Sequence, residues 1–96
     1  MKIKILRSAR NDIDAGHQFY ESRSNGLGDY FMTSIESDIR SLRIFAGIHQ
    51  TVDGHFRMVA SRFPFSIFYK IENSEIRVVA IVDNRRDPQL ISKRLN

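Results

Sequence analysis

The sequence predicts a small α+β domain of order β-α-α-β-β-β, a helical hairpin packed on an antiparallel-rich sheet, and three observations carry that prediction. First, residues 63–88 contain two apolar runs that alternate with period two across a short polar link. Second, both faces of those runs hold apolar residues, which requires burial on two sides and places the pair at the centre of a sheet. Third, residues 8–45 hold two stretches with apolar side chains at helical spacing, broken at Asn25-Gly26.

In chain order, Lys2–Arg7 alternates as an early strand, with Ile3 and Ile5 opposed by Lys2, Lys4 and Leu6. Ser8 is a good N-cap residue type, and Ala9, Ile13, Gly16 and Tyr20 form one helical stripe that Phe19 widens. Asp12 and Asp14 in the opening turns suit the helix dipole. Gly16 costs roughly 1 kcal/mol against alanine inside a helix, which points to close packing on a neighbouring helix. Gly26 or Asn25 supplies the left-handed cap that ends this first helix. A second helix follows from Leu27 to Phe45, its stripe formed by Leu27, Phe31, Ile35, Ile39 and Leu42. Residues 46–54 read as a loop between glycines. His55–Ala60 is a strand, with Phe56, Met58 and Ala60 opposed by His55, Arg57 and Val59. In the first of the central runs Phe65, Ile67, Tyr69 and Ile71 oppose Ser66, Phe68 and Lys70. In the second, Ile76, Val78, Ala80 and Val82 oppose Arg77, Val79 and Ile81. The link Glu72-Asn73-Ser74-Glu75 fits a tight hairpin with Asn73 left-handed. After Pro88, Gln89–Leu95 forms a short helix.

Residues 1–96 make one domain, of 42% hydrophobic and 10% aromatic composition, as expected of a globular chain. The absence of cysteine excludes disulfides and thiolate metal sites. His17, His49 and His55 are scattered without ligand spacing, so neither a metal site nor a cofactor is expected. No stretch is long and apolar enough to span a membrane, and the charges interleaved in residues 1–7 do not fit a signal-peptide core, so a cytoplasmic protein is expected. The net charge of +4 is unevenly placed: residues 1–54 balance seven Lys/Arg with seven Asp/Glu, whereas residues 55–96 hold eight against four. An anionic partner, nucleic acid or an acidic protein segment, is expected on the C-terminal half.

Within that half Arg57, Arg62, Lys70 and Arg77 alternate out of strands and extend a basic surface. Arg85-Arg86 follows the last strand. Either one of the pair closes onto Asp83 or Asp87, or the two form a fork for a carboxylate or phosphate. Phe68 and Tyr69 read as core residues.

An early strand, a helical hairpin with Phe19-Tyr20 late in its first helix, Gly26-Leu27-Gly28 opening the second, the strand FPFSIFYKI (63–71) and the ending Arg85-Arg86-Asp87-Pro88 together resemble the RelE/ParE superfamily of type II toxin–antitoxin toxins, in particular its ParE-like plasmid stabilization branch. The resemblance covers almost the whole chain. It implies a cytoplasmic growth-inhibiting toxin held inactive by a cognate antitoxin, with operator DNA reached only through that antitoxin. It also implies one of two activities, inhibition of DNA gyrase by protein–protein contact or ribosome-dependent mRNA cleavage.

The nuclease requires phosphate-binding cations and a group that transfers protons. By resemblance, Arg57 matches a basic position of the second strand and Arg85 or Arg86 the arginine after the last one. Ser66 stands where an arginine is expected, and the tyrosine expected beyond the arginines is missing, Ile91 being nearest. His55 has a suitable pKa type and shares a strand face with Arg57, although a hydrogen-bonded strand-end histidine is the simpler reading. Candidate catalytic residues are therefore Arg57, Arg85 and His55, and candidate target- or anion-binding residues Arg57, Arg62, Lys70, Arg77, Arg85 and Arg86. The balance favours the gyrase-directed reading, with the endonuclease or a non-toxic antitoxin-binding module as alternatives.

Overall fold

The alternating runs become the middle of a five-stranded sheet in the computed structural model, which describes residues 1–96. The elements are β1 (Lys2–Ile5), α1 (Arg7–Arg23), α2 (Leu27–Phe45), β2 (Thr51–Val52), β3 (His55–Val59), β4 (Phe65–Glu72), β5 (Glu75–Asp83) and α3 (Pro88–Leu95). The sheet order is β1-β5-β4-β3-β2; β1 runs parallel to β5 and every other pairing is antiparallel. The expected α+β architecture is thus present, with one strand more than the sequence suggested. β2 lies in the stretch read as a loop, where Thr51 and Val52 pair with Phe56 and His55.

The β4–β5 hairpin turns over two residues, because Glu72 and Glu75 already pair. Both Asn73 (φ 53°) and Ser74 (φ 59°) are left-handed, the signature of a type I′ turn. Serine is poorly suited to that region, so Ser74→Gly is expected to raise stability by about 0.5–1 kcal/mol. A higher urea midpoint with unchanged slope would show it.

Phe65, Ile67, Tyr69 and Ile71 of β4 face the large core with Phe56, Met58 and Ala60 from β3 and its end, and Phe68 faces the other side. The expected faces of β5 hold only for its first half. Tyr69 pairs with Val78 and Phe68 with Ala80, so Val79 is an extra residue in a bulge. The bulge reverses the parity: Ile76, Val78 and Ile81 enter the large core, while Val79, Ala80 and Val82 pack on the opposite face.

The helical hairpin covers the large-core face through Ala9 and Ile13 of α1 and Phe31, Ile35, Ile39 and Leu42 of α2. Gly16 has the close contact its cost implied, since a Cβ there would lie 2.4 Å from Cε2 of the fully buried Phe31. Phe31 in turn meets Tyr20, Phe63 and Phe65, each with ring centroids 5.1 Å away. Phe19 does not widen the buried stripe; it is exposed, edge-on to Tyr20 and under the Arg23 guanidinium. Gly26, at φ +85°, makes the interhelical turn, and both oxygens of Glu21 accept amide hydrogens from Gly26 and Gly28.

Two residues near the start of α1 have roles other than those expected. Leu6, not Ser8, occupies the N-cap position, and Ser8 Oγ donates to the Val79 carbonyl at 2.6 Å. Asp12 lies beyond the first turn and accepts the Ile81 amide at 2.8 Å. β1 pairs with β5 only as far as Val78, so these side chains satisfy the edge of β5 where β1 has ended. The short C-terminal helix forms, beginning at Pro88; Asp87 caps it by accepting from the Gln89 amide. Its Ile91 and Leu95 cover Phe68, Ala80 and Val82 on the second face.

Candidate functional site

The second sheet face is the basic one. Arg57 is in register with Phe68, and Lys70 with Arg77, so both arginines lie on the face away from the helical hairpin. Arg77 is also in register with Lys4 of β1, completing a row of three cations across β1, β5 and β4. Arg77 is tied to Glu75 at 2.8 Å, and this hydrogen bond, helped by Lys4 and Lys2, holds the Glu75 carboxyl below its ordinary value. Arg62 lies exposed in the β3–β4 link and makes no ion pair.

The paired arginines divide. Arg85 closes onto Asp83, Nε to Oδ1 at 2.9 Å and Nη2 to Oδ2 at 2.6 Å, and its hydrogen bond lowers the Asp83 pKa. Arg86 makes no side-chain hydrogen bond or ion pair and lines two clefts. One, of about 210 Å³, lies between the β4–β5 face and the start of α3 and presents Arg57, Asn84, Arg86 and Asp53 above Phe68 and Ile91. The other, of about 320 Å³, lies between α1 and the ends of β4 and β5.

Arg57 is held in place before any ligand arrives. Its Nε donates to Ser66 Oγ at 2.7 Å and its Nη2 to Asn84 Oδ1 at 3.2 Å, while the Ser66 hydroxyl donates to the same Asn84 oxygen. The serine standing where the resemblance expected an arginine therefore orients one. This leaves Nη1 uncommitted. Ser66 and Asn84 were not singled out from the sequence; three residues far apart in the chain meet only through the register of β3, β4 and β5.

His55 is buried and its Nδ1 is hydrogen-bonded to the Asp53 carbonyl at 2.8 Å, so that nitrogen donates and is unavailable as a base. The histidine does not line the cleft, whereas Ile91, at the place expected for a tyrosine, does. His17, Glu21 and Asp29 bring three ligand-type atoms within 4.8 Å of one another. The two Glu21 oxygens are occupied by amides, and Asp29 takes His17 Nε2 at 2.8 Å. The cluster closes the helical hairpin.

A titrating contact lies on the other side of the sheet. The fully buried Tyr69 hydroxyl accepts the Gly47 amide hydrogen and is hydrogen-bonded to His49 Nδ1. Burial lowers the His49 pKa. With the folded value below the unfolded one, stability is complete above the ordinary imidazole pKa and declines as the pH falls below it. Denaturant midpoints should therefore fall between about pH 7.5 and about pH 5.5, and His49→Gln, which keeps an acceptor, should remove part of that fall. An identical pH dependence in the variant would exclude His49 as a contributor.

No protein-family model and no curated protein sequence matches the chain. Among solved structures, a chain of the chromosomal ParDE TA system from P. aeruginosa superposes with a TM-score of 0.76 at 25% identity, over 86% of this chain and 95% of that one. The fold is RelE/ParE-like. It has the expected helical hairpin on a small sheet and the expected C-terminal helix, with β2 and the bulge in addition. None of its helices is long and apolar enough to cross a membrane.

Proposed function

We propose that the chain is the toxin of a type II toxin–antitoxin module, neutralised by a cognate antitoxin, and that it acts in the ParE-like manner, inhibiting DNA gyrase through protein–protein contact. The likeness to a chain of a ParDE system supports the toxin–antitoxin part. The observation that carries the choice of activity is the composition of the Arg57–Asn84–Arg86 cleft. It holds two guanidiniums and a single carboxylate, Asp53, with no histidine, glutamate or tyrosine. Such a site binds anionic groups and orients them. In this reading Arg57 and Arg86 contact the target, with Arg62, Lys70 and Arg77 extending the basic surface.

The test combines two assays. Purified protein at micromolar concentration should block gyrase supercoiling or raise cleavage-complex levels, and induced expression should arrest growth with an SOS response and intact messages. Unchanged gyrase activity would remove the reading. Codon-spaced message cuts abolished by Arg57→Ala would instead establish the ribosome-dependent endonuclease, and growth without arrest would leave an antitoxin-binding module.

A further inference from the structure

The sheet face opposite the helical hairpin is only half covered. α3 closes one end of it over Phe68, Ala80 and Val82. At the other end Ile3 and Ile5 turn to the large core, so Lys2 and Lys4 of β1 join Lys70 and Arg77 on the open face. The carboxylates there are Glu75, which is spent on Arg77, and the exposed Glu72. Lys4, Lys70, Arg57 and Arg86 have no ion-pair partner. Lys4, Arg77 and Lys70 stand in one rung, and Arg57 lies diagonal to Lys70 and leads to the cleft that holds Arg86. Neighbours in a rung are about 5 Å apart and diagonal ones about 7–8 Å, so this track runs roughly 17 Å across four strands.

The form of the track selects its occupant. Lys4, Arg77 and Lys70 line neither cleft; they stand across strands and do not ring a recess. A lone acidic side chain would make a solvent-exposed ion pair there, worth about 0–1 kcal/mol. A nucleic-acid duplex meets several such cations at once and releases its condensed counterions in doing so. We propose that the track binds the phosphate backbone of duplex DNA without regard to sequence, over about five base pairs at roughly 3.4 Å each. The gyrase reading supplies the source of that DNA: the protein holds the duplex on which the enzyme works as well as the enzyme. Glu72 opposes the contact, and Arg77, already neutralised by Glu75, adds little to it.

The test is a fluorescein-labelled duplex of about 20 base pairs and arbitrary sequence, titrated with the full chain and followed by anisotropy. Four unpaired cations predict a slope of about −3.6 in log K against log salt, a loss of about 100-fold between 50 and 200 mM NaCl. Lys4→Gln combined with Lys70→Gln should halve that slope and weaken binding about tenfold or more at 50 mM. Lys4→Gln alone, at an exposed position, should lower the slope by about 0.9, which keeps the test open should the double variant fold poorly. Glu72→Gln should tighten binding. Arg40→Gln with Arg43→Gln removes the same charge from exposed positions on α2 and should leave the slope as it is. No binding at 50 mM NaCl would overturn the proposal, and so would an equal loss in the Arg40 and Arg43 variant, since net charge alone would then account for the attraction. Tighter binding of an RNA duplex, or of poly-glutamate, would assign the face to RNA or to an acidic protein and overturn it as well. Supercoiling is read separately. A chain that binds the duplex but spares gyrase keeps this face and loses its target, whereas one that inhibits gyrase without binding the duplex loses this face alone.

Discussion

Phe31→Ala is expected to lower stability by about 3–5 kcal/mol, and the melting temperature by more than about 10 °C. The ring is fully buried and touches Tyr20, Phe63 and Phe65, so its removal opens a cavity that the surrounding aromatic rings cannot fill without leaving their own contacts. Gly16→Ala gives the contact a second, sharper test. Alone, it forces a methyl to within 2.4 Å of that ring, costing about 1–3 kcal/mol despite the better helix propensity of alanine. In the Phe31→Ala background the obstruction is gone, and the same change should be neutral or stabilising by up to about 1 kcal/mol. A double-mutant cycle measured by urea denaturation should therefore show strong coupling. Additivity to within about 0.5 kcal/mol would mean that the helices do not depend on this approach.

Gly16 also shows what kind of information a sequence holds. A glycine inside an otherwise regular helical stripe is a local anomaly, and the anomaly points to a close neighbour even though it cannot name Phe31. The hairpin of β4 and β5 was legible for a similar reason: its alternation and its polar turn are local patterns. The bulge at Val79 was not, because alternation reads straight through a residue that any β-branched side chain could occupy. β2 was missed because two residues carry no period; they pair because β3 presents an edge to them.

The same division runs through the site. Arg85-Arg86 after a buried strand is visible in the chain, whereas the difference between them depends on Asp83 reaching back to Arg85. Ser66 and Asn84 look like ordinary strand and turn residues. They become the holders of Arg57 once three strands are in register, a relation between residues 9 and 27 positions apart from it. The absence of an evident acid or base was the more legible half, since the sequence lacks a tyrosine beyond the arginines and Ile91 lines the cleft in its place.

The attachment of α3 depends on a carboxylate whose importance no local pattern announced. Asp12 accepts from the Ile81 amide and from Arg94 through the same oxygen, so it joins α1, the free edge of β5 and the last turn of α3 at one point. Asp12→Ala is expected to cost about 2–4 kcal/mol: a buried amide loses its acceptor, and Arg94 loses its partner. The second part is discounted because the Arg94 side chain is 37% exposed and water screens the pair. The order of variants separates the contributions. Arg94→Ala removes the ion pair and a long hydrogen bond to the Ser8 carbonyl, and should cost about 1 kcal/mol or less. Asp12→Asn keeps an acceptor for Ile81 and should fall between the two. Hydrogen exchange should locate the effect, with amides of residues 88–95 opening faster in both Asp12 variants and in Arg94→Ala, and Ile81 exchanging faster in Asp12→Ala alone. If Arg94→Ala proved as costly as Asp12→Ala, the sheet edge would not need its side-chain cap, and α3 would be held by charge and not by the seating of Ile91 and Leu95 on Phe68, Ala80 and Val82.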